Sequence, residues 1–321
     1  ESVEVNNQTS QQFITNANML GGDASLAQAG LVAAKENAVF MISNGTVAAG
    51  LRATNNYFSG GVATISPMSA LPAISSPLVL DGQKQPGWTS TPVVKLNGSG
   101  AGGGSSGLSV TGGSSLIKGF IIDSFGSAGI SLTGSGGTTV SDNIIHANNR
   151  GYYDNVANDL FIRNVIYGSS SDGMYLDTGA TGAKVYQNTI YGNGNQGIRQ
   201  AGGSATVRNN LITGSGDVGL YSSGGTLTES YNDITDAVTA PANAGGRSNV
   251  LLSGTDLNVN PLYVNSATGN FTLTECASPV INQGIDLGAD QPDMNGALAG
   301  LWNNNAPEMG AFETSSSCSP S

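Results

Sequence analysis

Charge is the scarcest ingredient of this chain. Only 10% of its 321 residues are Asp, Glu, Lys or Arg, against roughly a quarter in an average globular domain. What charge there is leans acidic, with 22 acids, 11 bases and a formal net charge of −11. No basic patch is present for nucleic acid, which is excluded as a partner, and an acidic surface would be repelled by anionic membranes. Long apolar runs are missing too. None approaches the roughly 18 residues of a membrane-spanning helix, so no span is expected. Cysteine is down to two residues, Cys276 and Cys318, which bracket the C-terminal segment. A disulfide between them is expected to stabilise by about 3–4 kcal/mol and fits an oxidising, extracellular setting; the alternative is a pair of unrelated thiols. The chain opens on Glu1 rather than Met, the expectation for a processed or trimmed mature form.

What is abundant is glycine and asparagine, 47 and 32 residues. Helical bundles and coiled coils tolerate interior Gly poorly, at about 1 kcal/mol each, and are excluded. The glycines lack the every-third spacing of collagen. With 38% hydrophobic residues recurring regularly, charge-driven disorder is excluded as well. A chain of short strands and frequent turns remains.

The middle of the chain repeats. Units begin at Gly107, Gly129, Gly151, Gly173, Gly197 and Gly219, each Gly followed by a mostly apolar residue, and four of the five complete units are 22 residues long. A second marker keeps register: Asn143, Asn164, Asn188, Asn210 and Asn232 each stand two residues before Ile145, Ile166, Ile190, Ile212 and Ile234. Units this short cannot bury an apolar face alone and must stack on their neighbours. The pattern inside each is strand and turn, without helical periodicity. The expected fold is all-β, a right-handed parallel β-helix of about 22 residues per coil, with rungs about 4.8 Å apart. The laddered asparagines are assigned a structural role, their amides hydrogen-bonding up the column and their backbone supplying the left-handed conformation of a tight turn. Roughly ten coils are expected, about 50 Å at ~4.8 Å each.

Open solenoid ends need covers. Residues 24–38, ASLAQAGLVAAKENA, read as a capping helix with Asp23 as N-cap. The expected layout is a strand and capping helix over 1–60, coils over 61–250, and closing coils with a tail over 251–321.

Two stretches carry a resemblance. Residues 14–100 run from ITNAN and the cap through SALPAI and DGQKQPG (81–87), and the C-terminal NPLYVNSATGNFTLTECASPVINQG is followed by DMNG and PEMGAFE (307–313). Together they resemble bacterial surface proteins with right-handed parallel β-helix repeats, the second stretch being similar to what is called a choice-of-anchor segment. An Arg common after the D-x-x-G portion is missing here. The resemblance implies the fold and a location outside the cell or at its surface. It leaves activity open, because this fold carries lyases, hydrolases, epimerases, adhesins and structural proteins.

Candidate sites follow from the columns. The third residue of successive units is Ser131, Tyr153, Tyr175, Arg199 and Tyr221, and strand alternation turns that position outward. Tyr153, Tyr175, Arg199 and Tyr221 would then form an outer strip about 15 Å long, either a stack that stiffens the coils or a surface for a polysaccharide or cell-surface glycan. A second outer column is His146, Tyr167, Tyr191, Thr213 and Thr235, in which His146 is the one histidine of the chain. Asp172 and Asp177 in SDGMYLD could share Ca2+ or cap turns; otherwise no cofactor is expected. The ionisable candidates for a lyase or glycosidase are Asp154, Asp159, Arg163, Asp172, Asp177, Lys184 and Arg199, scattered over different turns with no paired carboxylates. The sequence therefore favours a non-catalytic extracellular rod, adhesin or filament subunit, with a carbohydrate-binding module and a polysaccharide-active enzyme as alternatives. The filament version rests on head-to-tail self-association, with residues 1–6 alternating like a strand that could add to a neighbour's edge.

Overall fold

A computed structural model describes residues 3–7, 36–40, 42, 44, 58–235, 250, 252–288 and 306–313. Within them the chain winds through three sheets in turn. Sheet one holds Leu108–Val110, Ala128–Leu132, Arg150–Asp154, Met174–Leu176, Ile198–Gln200 and Leu220–Ser222. Sheet two holds Leu78–Asp81, Leu116–Lys118, Thr139–Ser141, Leu160–Ile162, Thr181–Tyr186, Ser204–Arg208 and Thr226–Ser230. Sheet three holds Val62–Ile65, Val94–Asn97, Phe120–Asp123, Ile144–His146, Val165–Tyr167, Thr189–Tyr191, Leu211–Thr213 and Asp233–Ile234. These strands pair in parallel, one coil on the next, so the fold is a parallel β-helix. The expectation of ten coils was too high: sheet one has six strands, so six turns visit all three sheets among the described residues.

The interior is built from columns. Ile122, Ile145, Ile166, Ile190, Ile212 and Ile234 of sheet three are fully buried. They meet Ile117, Val140, Phe161, Val185 and Val207 of sheet two, and Ile130, Tyr152, Met174 and Ile198 of sheet one. The unit-opening glycines are needed for close approach. A Cβ on Gly151 would lie 2.4 Å from the Gly173 carbonyl oxygen and 2.4 Å from Ile166 Cγ2.

The asparagine column is a continuous hydrogen-bonded ladder. From Asn164 to Asn232, each side-chain oxygen accepts two bonds from the Asn one rung earlier, one from its backbone N–H and one from its side-chain amide; that of Asn143 accepts from the Phe120 N–H. Asp256 ends the ladder by accepting both bonds from Asn232. One detail of the expectation is corrected. The left-handed residue of the turn is the one before each asparagine, namely Asp142, Arg163, Gln187, Asn209 and Tyr231, with φ between 52° and 57°. The laddered asparagines are not themselves left-handed, and their side chains bridge successive rungs.

At the N-terminal end, Glu36–Phe40 is a strand pairing in parallel with Leu78–Asp81, so residues 36–38 do not belong to the expected helix; residues 24–35 lie outside the described residues. Val3–Asn7 pairs antiparallel with Glu36–Phe40 of the same chain. The DGQKQPG stretch is a clip. Gln85, buried, donates to the Ile42 carbonyl and accepts from the Ile42 N–H, while Asp81 pairs with Lys118 at 3.2 Å.

At the other end, the chain folds back over the outside of sheet three. A hairpin of Tyr263–Asn265 and Asn270–Leu273 seats Phe271 against Tyr167 and Tyr191, ring centroids 5.1 Å away in both cases. The PEMGAFE stretch docks beside it: the Gly310 N–H donates to the Asn209 carbonyl and the Ala311 N–H to Thr189 Oγ1. Asn209 also holds Ile285 through both backbone groups. Cys318, expected to join Cys276, lies outside the described residues.

Candidate functional site

The outer column of sheet one is in register as the repeat implies: Ser131, Tyr153, Tyr175, Arg199 and Tyr221 pair in succession. The Tyr153 and Tyr175 rings lie 5.7 Å apart and 10° from parallel. The Arg199 guanidinium sits over the Tyr175 ring at 5.0 Å, and that of Arg150 at 4.6 Å. Tyr153 and Arg150 come from the rung before Tyr175, and Arg199 from the rung after. Both faces of Tyr175 are therefore covered by protein.

The margins of the strip are stitched between coils. Tyr153 donates its hydroxyl to Asp177 at 2.7 Å; burial, reinforced by that carboxylate, pushes the phenol up to about 12. Asp177 also caps the Thr178 N–H. Asp172 accepts from Asn195 and from the Gln196 N–H, with Arg150 at 3.5 Å. Asp172 and Asp177 stand at opposite ends of the strand Met174–Leu176, each with its own partners. Arg150 belongs to this constellation although the sequence reading passed over it. It precedes the Gly at which the units were cut, and its place beside the strip follows from its pairing with Ala128.

The other ionisable candidates divide sharply. Arg163 is buried and makes a two-pronged pair with Asp142, 2.8 Å for each bond. Lys184 is on sheet two, in register with Leu160 and Thr206. Asp154 and Asp159 do come together, contrary to the expectation of no paired carboxylates, but inside the solenoid, each 0% exposed. Asp154 occupies the inward column between Leu132 and Leu176. Its Oδ1 accepts from the Val156 N–H, and Asp159 accepts from the Thr138 N–H. Burial, with Asp159 adding to it, pushes the Asp154 carboxyl up to about 8, and burial raises Asp159 as well. Two adjacent carboxyls shut away from water repel each other when both are charged, which favours a proton held between them. The signal was in the sequence: with Tyr152 inward and Tyr153 outward, alternation turns Asp154 inward.

On sheet three, His146 stacks on Tyr167 at 4.8 Å. Asp123 takes Lys95 at 2.7 Å and has His146 Nε2 at 3.8 Å. Burial lowers the imidazole below its ordinary value of 6.5, against the opposing pull of Asp123. No cluster of three or more metal-binding side chains occurs among the described residues.

These features define a right-handed parallel β-helix protein. A family model described as a right handed beta helix region matches residues 89–235, which spans the laddered coils. Among solved structures the chain is similar to one titled "Crystal structure of pectate lyase Pel9A", at 16% identity and a TM-score of 0.44, over 80% of this chain and 84% of that one. No curated protein matches it.

Proposed function

We propose that this chain is a non-catalytic extracellular rod, a rigid β-solenoid serving as spacer or adhesin at a cell surface or in a matrix. One observation carries the reading: four charged pairs bridge successive rungs of the coils. Lys118 takes Asp81, Lys95 takes Asp123, Arg150 takes Asp172 and Arg163 takes Asp142. A side chain already held by its neighbour is poorly placed to act as acid or base on a substrate, since catalysis needs groups free to reach one reacting atom. The carboxyl pair Asp154–Asp159 is sealed in the core, out of reach of a polymer. On this reading Asp172 and Asp177 are struts between coils and need no Ca2+.

The glycan reading of the tyrosine strip is disfavoured, because sugar stacking needs an open ring face and both faces of Tyr175 are taken. The strand-donation route to a filament loses its motive, because Val3–Asn7 pairs within its own chain. The test is incubation with polygalacturonate, alginate and xylan, with and without added Ca2+. No unsaturated uronate and no new reducing ends are expected; either product would overturn the proposal.

A further inference from the structure

Between the outer face of sheet three and the C-terminal segment lies a cavity of about 580 Å3. We infer that this cavity is a binding site for a neutral saccharide of one or two pyranose units. The inference stands apart from the rod reading, since a catalytic or a structural solenoid could carry such a site.

Size is the first argument, because small-molecule sites run to roughly 300–1,000 Å3. The floor is the second. Tyr191, Thr213 and Thr235 follow one another on successive rungs of the outer column. They present a hydroxyl about every 4.8 Å, close to the length of one sugar unit. The wall adds the amides of Asn258 and Asn260 and the hydroxyls of Tyr263 and Ser266. The hydroxyls of floor and wall meet only loosely: Thr213 Oγ1 to Tyr263 Oη is 3.4 Å, and Ser266 Oγ to Tyr191 Oη is 3.3 Å. Hydroxyl pairs normally close to about 2.7–2.8 Å, so a ligand hydroxyl can replace these contacts with little loss.

The chemistry selects against other ligands. The lining holds no Asp, Glu, Lys or Arg among the described residues. A charged ligand would surrender its hydration without gaining a counter-charge, and a purely apolar one would strand the hydroxyls. A neutral sugar offers hydroxyls at its edges and C–H groups on its faces, and the rim provides for the latter. Leu262 lines the cavity and is 38% exposed.

Leu262 is also held in the left-handed region, at φ 56°, where a bulky residue pays for its position in strain. Its N–H donates to Asn260 Oδ1, and its carbonyl accepts from both the backbone and the hydroxyl of Thr274. Three bonds thus hold an apolar side chain at the mouth of a polar cavity. The wall is rigid before any ligand arrives, because Phe271 is buried among Tyr167, Tyr191 and Tyr263, so little ordering is left for binding to impose.

The experiment uses the full chain with neutral disaccharides and trisaccharides of glucose, xylose, mannose, galactose and N-acetylglucosamine, and digalacturonate and trigalacturonate as the charged probes. Binding is read by saturation-transfer NMR and calorimetry. At least one neutral saccharide is expected to bind and the galacturonates to bind more weakly. Thr213→Val and Tyr263→Phe keep shape and remove one hydroxyl, so each should weaken binding about five- to tenfold. Leu262→Gly should weaken it too while leaving the melting temperature level or higher, since Gly accepts the left-handed backbone. No neutral binding up to about 10 mM, tighter binding of a galacturonate, or neutral binding unchanged in all three variants would overturn the inference.

Discussion

The outer faces of sheets one and three start from the same rule and end differently. Each is a column of side chains repeated once per coil. On sheet one the column closes on itself: Tyr153, Tyr175, Arg199 and Arg150 cover one another's faces. On sheet three, Val165, Tyr167 and Tyr191 are covered by a segment from far along the chain, through Phe271 and Ala311. A periodic column can be satisfied by its own period, or by a non-periodic partner. The second solution leaves gaps where cover and column do not match, and the cavity beneath Tyr263 is such a gap.

The largest effect should come from breaking the coil itself. Gly151→Val would drive a side chain into the Gly173 carbonyl and Ile166, and should cost more than about 4 kcal/mol, read as loss of the cooperative circular-dichroism melt. A mild shift instead would mean that the sheet-one spine yields more readily than its contacts imply. Removing the cover is next. Phe271→Ala should cost about 3–5 kcal/mol, and hydrogen exchange should rise across residues 258–288 while strands of sheet one stay protected. Equal loss of protection on sheet one would make the two faces a single cooperative unit.

The interior acid pair gives a pH signature. The Asp154 carboxyl rises from 3.8 to about 8 on folding, so the folded state binds the extra proton. Its contribution is fully present below pH 3.8, declines as pH rises, and is gone above about 8. Glu229, on the inward column beyond Val207, is raised to about 8 by burial beside Asp256 and acts in the same sense. Urea midpoints should fall between pH 4 and 8, and Asp154→Asn should flatten part of that slope. An unchanged slope would show that the pair does not share its proton. The smallest effect should be Tyr175→Ala, about 1–2 kcal/mol for one ring stack and its cation contacts, measured by thermal melting. A cost as large as that of Phe271→Ala would erase the contrast between a self-closed and a covered face.

Legibility followed the period. The Asn and Ile columns and the outward tyrosines could be placed because each recurs at one position per unit, and position in the unit fixes position on the coil. The turn residue before each asparagine escaped notice because Asp142, Arg163, Gln187, Asn209 and Tyr231 share no side-chain type, only a backbone angle. Arg150 was hidden by the choice of unit boundary. Asp154 and Asp159 looked like scattered turn acids, although alternation alone puts the first inside. The cover of sheet three carried no periodic signal: the Ala311–Thr189 bond spans 122 positions.

By itself, the sequence determined the solenoid. Scarce charge, a glycine at the opening of each unit, and an asparagine at the same turn of successive coils leave little else that can stack at 22 residues per coil. These are local and repeated constraints, and repetition amplifies them. Only the tertiary structure decided which charges would find partners, that Asp159 would join Asp154 inside, and where the returning chain would leave a cavity. Those outcomes depend on single contacts between distant segments, and a contact made once leaves no pattern to read in advance.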